Sequence, residues 1–205
     1  MPATIRDEVR SLKRDKILDV AAQLFSERGY HGTSIDAICG ELGVTKPFIY
    51  YHFERKDDIL QALYQSSIDT AIGVIEEARA SDESPLRQLS RFVVAYNELV
   101  TSDYQPRIAL NSREKGLLSR EMMRQINNSK YQFVSSLVEI LKAGTEAGEF
   151  EIENYQVTAQ AILGILHWTI NWYRPEGTLS TSELSDILLR LVLRVVGARS
   201  EAVID

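Results

Sequence analysis

Apolar side chains recur three and four positions apart along nearly the whole chain, the spacing of helices with one buried face. Ile17, Ala21, Leu24 and Phe25 make the first such row, and the run from Arg28 to Ser34, with Gly29 and Gly32 in it, breaks the period. Thr33 and Ser34 offer an N-cap, and Thr33 with Asp36 three residues on fits a capping box. The helix they open carries Ile35, Ile38, Cys39 and Leu42 and is ended by Gly43. Thr45 caps the next helix, which tolerates Pro47 because first-turn N–H groups have no intrahelical acceptor, and which runs to about His52.

From Lys56 a longer helix is predicted to about Ala80, ended by a polar break at 80–85. Ser84 caps the following helix with Pro85 in its first position, and Leu86, Leu89, Val93, Tyr96 and Val100 stripe it. A short helix is predicted over about Arg107–Glu114. Ile126, Phe133, Leu137 and Leu141 mark a long one ending at Gly144 or Gly148. The run 174–180 separates two last helices, about 155–173 and 181–197. No segment reads as a strand, a repeat or a low-complexity tract. The prediction is an all-α fold of about nine helices, with a three-helix N-terminal domain over 1–55 and a helical C-terminal domain over 56–205.

Composition narrows the class. The chain has 205 residues, 44% hydrophobic and 25% charged, enough for a substantial core in a soluble protein. It contains no run of eighteen apolar residues, its N-terminus is charged and lacks an apolar h-region, and Cys39 is its one cysteine. Together these read as a cytoplasmic protein that does not enter a membrane and needs no cofactor. The net charge of −6 argues against indiscriminate binding of polyanions. Residues 1–55 are nevertheless neutral, with eight Lys/Arg against eight Asp/Glu, and the first sixteen are locally basic through Arg6, Arg10, Lys13, Arg14 and Lys16.

Two short helices joined at a glycine turn form a helix-turn-helix pattern. Ile38, Leu42, Val44, Ile49 and Phe53 are the residues expected to pack it. Lys46, Pro47, Phe48, Tyr50, Tyr51 and His52 are then left pointing outward. Lys46 suits guanine O6/N7 or a phosphate, and Pro47 and Phe48 suit thymine methyl groups. The hydroxyls of Tyr50, Tyr51, Thr33 and Ser34 and the His52 ring can donate to phosphates, as can helix N-termini at Ser34 and Lys56. The competing class is a helical enzyme or small-molecule carrier without DNA binding. His31, His52 and His167 show no metal-ligand spacing, no glycine-rich phosphate loop follows a strand, and Cys39 has no evident base.

The segment from Ile17 to Leu60 resembles the DNA-binding part of the tetracycline-repressor (TetR) family, with Phe25, Gly29, Tyr30, Thr33, Ile38, Gly43, Val44, Tyr50, His52, Phe53 and Lys56 in matching places. The resemblance implies a homodimeric repressor that binds double-stranded operator DNA and is relieved by a small-molecule effector. It implies DNA contacts from Thr33, Ser34, Thr45, Lys46, Pro47, Phe48, Tyr50, Tyr51, His52 and Lys56. Many relatives carry a small residue where Phe48 stands, which leaves the base preference open.

The resemblance also implies dimerisation through the last two helices. Ile165, Trp168 and Trp172 share one face there, and Leu184, Ile187, Leu188, Leu191 and Val195 form a broad apolar stripe. Ile165, Leu184, Leu188, Leu191 and Val195 are therefore the expected interface. The segment 164–193 is similar to a TetR subgroup of catabolic regulators, several of which sense acyl-CoA thioesters. Such a ligand needs an apolar channel and cations; Tyr96, Asn97, Trp168 and Trp172 are candidate walls and Arg107 and Arg113 candidate cations, with Lys115, Arg120 and Arg124 nearby. Trp168 and Trp172 fit either the pocket or the interface.

Overall fold

The computed structural model describes residues 5–102 and 118–198. These form eight helices: α1 (Ile5–Gly32), α2 (Ile35–Leu42), α3 (Lys46–His52), α4 (Lys56–Arg79), α5 (Pro85–Thr101), α6 (Arg120–Glu146), α7 (Tyr155–Trp172) and α8 (Thr181–Val195). Among the described residues there is no strand, and the fold is all-α. The predicted helix over Arg107–Glu114 lies outside the described residues, and with it Arg107, Arg113 and Lys115.

The described residues divide into two compact units: 5–67 with 118–124, and 68–102 with 125–198. α4 contributes its first half to one and its second half to the other. In the first unit, Ile17, Leu18, Ala21 and Phe25 of α1 are buried with Ile38, Ile49, Ile59, Leu60 and Leu63. α1 runs from Ile5, well before its first buried residue, so residues 5–16 are helical yet none of them is buried. It breaks where the pattern broke: Gly29 adopts φ 73°, ψ 161°, a conformation that an L side chain resists.

The expected capping box at Thr33 and Asp36 does not form. Ser34 is the N-cap of α2, its hydroxyl accepting the Ala37 N–H at 3.1 Å, and Asp36 pairs instead with Lys46. The cap shifts by one residue because the Thr33 side chain is drawn into the core, where its hydroxyl closes the end of α1.

In the second unit α5 packs against both α7 and α8. The predicted stripe of α5, Leu86, Leu89, Val93, Tyr96 and Val100, is buried along its length. Its N-terminus is closed twice, by Ser84, whose hydroxyl accepts the Arg87 N–H, and by Glu149, whose carboxylate accepts the Leu86 N–H at 2.7 Å. α8 opens on the capping box Ser180–Glu183. Gly144 sits under the Phe150 ring so closely that a Cβ there would overlap it, which is why the α6 chain carries a glycine inside a helix.

Candidate nucleic-acid interface

The turn between α2 and α3 is made by Gly43 in the left-handed region (φ 65°, ψ 32°), with the Val44 N–H donating to the Cys39 carbonyl at 3.0 Å. Ile49 and Phe53, both buried, anchor α3 from one side. Lys46, Pro47, Tyr50 and Tyr51 are exposed, as is Thr45 before them, while Phe48 and His52 are half-buried. Of the outward set read from the pattern, Lys46, Pro47, Tyr50 and Tyr51 thus face solvent, and Phe48 and His52 are partly covered. Thr45 begins α3, but its hydroxyl makes no capping bond.

Two residues expected at DNA are committed elsewhere. Thr33 is 1% exposed and its hydroxyl donates to the carbonyls of Leu24 (3.1 Å) and Gly29 (3.0 Å). The Lys56 ammonium donates to the carbonyls of Tyr30 (2.8 Å) and Thr33 (2.9 Å) and lies 4.0 Å from the Tyr30 ring centroid. The Thr33 hydroxyl thus serves carbonyls at and before the break at Gly29, and the Lys56 ammonium serves carbonyls just after it. Tyr30 hydrogen-bonds Asp57 at the start of α4, and its phenol pKa is pushed up by burial and then by that bond. Asp58 accepts the Arg55 N–H at 2.8 Å, so the N-terminus of α4 already holds carboxylates. Lys46 pairs with Asp36 at 3.0 Å, and that hydrogen bond with the attending charge raises its pKa.

The basic face of α1 lies against α3, a contribution that the periodic pattern alone did not single out. The Arg10 guanidinium lies 5.7 Å from the Tyr51 ring, the Lys13 ammonium 6.0 Å from the Phe48 ring, and the Arg14 guanidinium 4.7 Å from the Phe53 ring. His52 packs edge-on to Phe48 and Tyr51, and its pKa is lowered first by burial and then by Arg10, Lys13 and Arg14. The legible signal was spacing: Arg10, Arg14, Ile17 and Ala21 form one helical row, so the basic residues continue the core-facing side of α1 past the end of the core.

Comparison with known proteins agrees with this geometry. Residues 17–63 match the family described as bacterial regulatory proteins, tetR family, and residues 82–196, more than half of the chain, match the tetracyclin repressor-like C-terminal domain. The chain belongs to the TetR family. It is a DNA-binding transcriptional regulator. The repressor KstR2 of Rhodococcus jostii (strain RHA1) is 25% identical over 185 residues, covering 90% of this chain and 91% of that protein. The structure of the TetR regulator PfmR from Thermus thermophilus superposes with a TM-score of 0.79 at 29% identity, covering 87% of this chain and 97% of that one. AibR in complex with isovaleryl coenzyme A and operator DNA has a TM-score of 0.79 at 24% identity, covering 91% of this chain and 100% of that one.

The second unit of this TetR chain sorts the remaining expected site residues. Tyr96 and Asn97 are buried. The Asn97 amide donates to the Ser185 hydroxyl at 2.8 Å, tying α5 to α8, and its Oδ1 is buried without a partner. The Tyr96 hydroxyl lies 3.4 Å from His167 Nδ1, and burial pushes its pKa up. Leu184 and Leu188, expected at a dimer interface, are instead 1% and 3% exposed, packed within the chain's own core with Val192. The apolar stripe of α8 is two rows: Leu184, Leu188 and Val192 face inward, and Ile187, Leu191 and Val195, about 60° around the helix, face out. Trp168 and Trp172 are 65% and 50% exposed, and Ile165 is half-buried. Among the described residues no helix is long and apolar enough to cross a membrane, and no three His, Cys, Asp or Glu converge on a metal position.

Proposed function

We propose that the chain is a homodimeric repressor that holds a palindromic operator through α2 and α3 and is released by a small, largely apolar effector with an anionic group, of the acyl-CoA thioester class. The observation that carries the DNA half is the exposed edge of Thr45, Lys46, Pro47, Tyr50 and Tyr51 on a helix anchored by buried Ile49 and Phe53. Ser34, Phe48 and His52 complete the contact set. The dimer half rests on Trp168, Trp172, Ile187, Leu191 and Val195, large apolar side chains exposed on the last two helices and in need of cover. Two copies would offer α3 to half-sites about 34–36 Å apart.

The effector class is supported by the relatives: AibR is described with isovaleryl coenzyme A and operator DNA, and KstR2 as a repressor. Tyr96 and Asn97, buried in the second unit, would recognise the effector, and α4, shared by both units, would carry its effect. Such coupling is typically about 1–3 kcal/mol, roughly 5–150-fold in operator affinity. The protein would work in the cytoplasm, where the DNA is. Selection from random duplexes should return a palindrome, and acyl-CoA thioesters should both raise the melting point and release the operator. Enrichment of no palindrome would overturn the DNA half. Melting points indifferent to every thioester would overturn the effector class.

A further inference from the structure

α1 extends three turns beyond the core of the first unit, and its exposed part is asymmetric. At about 100° per residue, Arg6, Arg10, Lys13 and Arg14 fall on the side that continues the buried row of Ile17 and Ala21, whereas Ile5, Val9 and Leu12 fall on another. Of these cations, Arg10, Lys13 and Arg14 reach α3 and the residue that ends it. Arg10, Lys13 and Arg14 lie over Tyr51, Phe48 and Phe53, so the rings hold three cations beside the outward edge. Between the helices is an open cleft of about 350 Å³ lined by Asp7, Arg10, Ser11, Arg14 and His52. His52 Nδ1 is buried without a hydrogen-bond partner, in an imidazole whose pKa is lowered first by burial and then by the three cations.

Two guanidiniums, a serine hydroxyl and a half-buried imidazole around an open cleft suit a tetrahedral dianion or a phosphodiester, and the single carboxylate of Asp7 does not cancel them. Arg10 borders both the cleft and the exposed Tyr51, so an anion there would be continuous with whatever α3 touches. We propose that the cleft between α1 and α3 seats a backbone phosphate of the operator, with Arg10 and Arg14 as its ligands, making α1 a second DNA-binding element beside the helix-turn-helix. This inference rests on the DNA-binding reading above. It also gives the aromatic crowding of α3 a further role: Phe48, Tyr51 and Phe53 position the phosphate-binding cations.

The test uses the full chain and a duplex returned by selection. Operator affinity is measured by fluorescence anisotropy from about 50 to 200 mM salt for wild type and for the double variant Arg10→Gln with Arg14→Gln. Each phosphate contact contributes about 0.9 to the slope of log K against log salt, so the variant should lose about 1.8 over two half-sites. Because Arg14 also covers Phe53, a second measurement perturbs the DNA instead: single phosphates are replaced in turn by neutral methylphosphonates. One position per half-site should weaken wild type by about tenfold and leave the double variant unchanged. Equal salt slopes, with no methylphosphonate position that separates the proteins, would overturn the phosphate seat while leaving the helix-turn-helix reading intact. A wild type that bound no duplex at any salt would overturn both.

Discussion

Lys56→Met separates a structural lysine from a DNA-contacting one. The ammonium donates at 2.8 and 2.9 Å to the carbonyls of Tyr30 and Thr33 and lies 4.0 Å from the Tyr30 centroid. Hydrogen bonds from a charged group contribute about 1.5–3 kcal/mol each, and the cation over the ring about 0.5–1. Lys56 is half-exposed, so water competes and the low end applies. The Tyr30 carbonyl also keeps the Thr33 N–H, at 3.3 Å, whereas the Thr33 carbonyl loses its ammonium partner. Methionine preserves the stem, and the expected loss is about 2–3 kcal/mol, confined to the first unit. Tryptophan fluorescence would miss it, because Trp168 and Trp172 both stand on α7 in the second unit. Hydrogen exchange read by mass spectrometry resolves the units, and amides of α1 to α3 that open with the unit should exchange about 30-fold faster or more. Unchanged protection there, together with weakened operator binding, would refute the reasoning and return Lys56 to the DNA.

Other outcomes follow from the same packing. Leu191→Asp should leave the fold intact and shift the species seen by light scattering toward monomer, whereas Leu188→Ala, in the core, should cost about 2–5 kcal/mol in a denaturant titration. Gly144→Ala should destabilise by about 1–3 kcal/mol, seen as a lower melting point, because its methyl overlaps the Phe150 ring. The pKa of His52 lies below the ordinary 6.5, so on acidification the unfolded chain takes up its proton before the folded one does. Its contribution to stability is therefore full above about pH 6.5 and declines as pH falls through the depressed folded value. Denaturant midpoints between pH 7.5 and 5.5 should fall more for wild type than for His52→Gln.

The local elements were legible in the sequence because their causes are local. Apolar spacing marked the helices, Gly29 and Gly43 marked the breaks, and Ser84–Pro85 marked the start of α5. The exposure of Lys46, Pro47, Tyr50 and Tyr51 was legible too, once Ile49 and Phe53 are assigned inward, whereas the partial cover of Phe48 and His52 was not. What the sequence could not decide was where a polar side chain spends its hydrogen bonds. Thr33 and Lys56 have the composition of phosphate ligands, yet both close carbonyls at the end of α1, because the Gly29 break and the start of α4 meet there.

Tertiary packing likewise split the apolar stripe of α8. A sequence shows that Leu184, Ile187, Leu188 and Leu191 are all apolar, but only the placement of α5 and α7 shows which row the chain itself covers. The basic run at 6–16 carried its charge in the sequence and its meaning in the fold. α1 had to extend beyond the core, and α3 had to pass beneath it, before Arg10 and Arg14 could stand beside His52. Periodicity depends on neighbours three and four residues away, so one chain reveals it; a cleft depends on side chains about forty residues apart, and only the packed molecule brings them within reach.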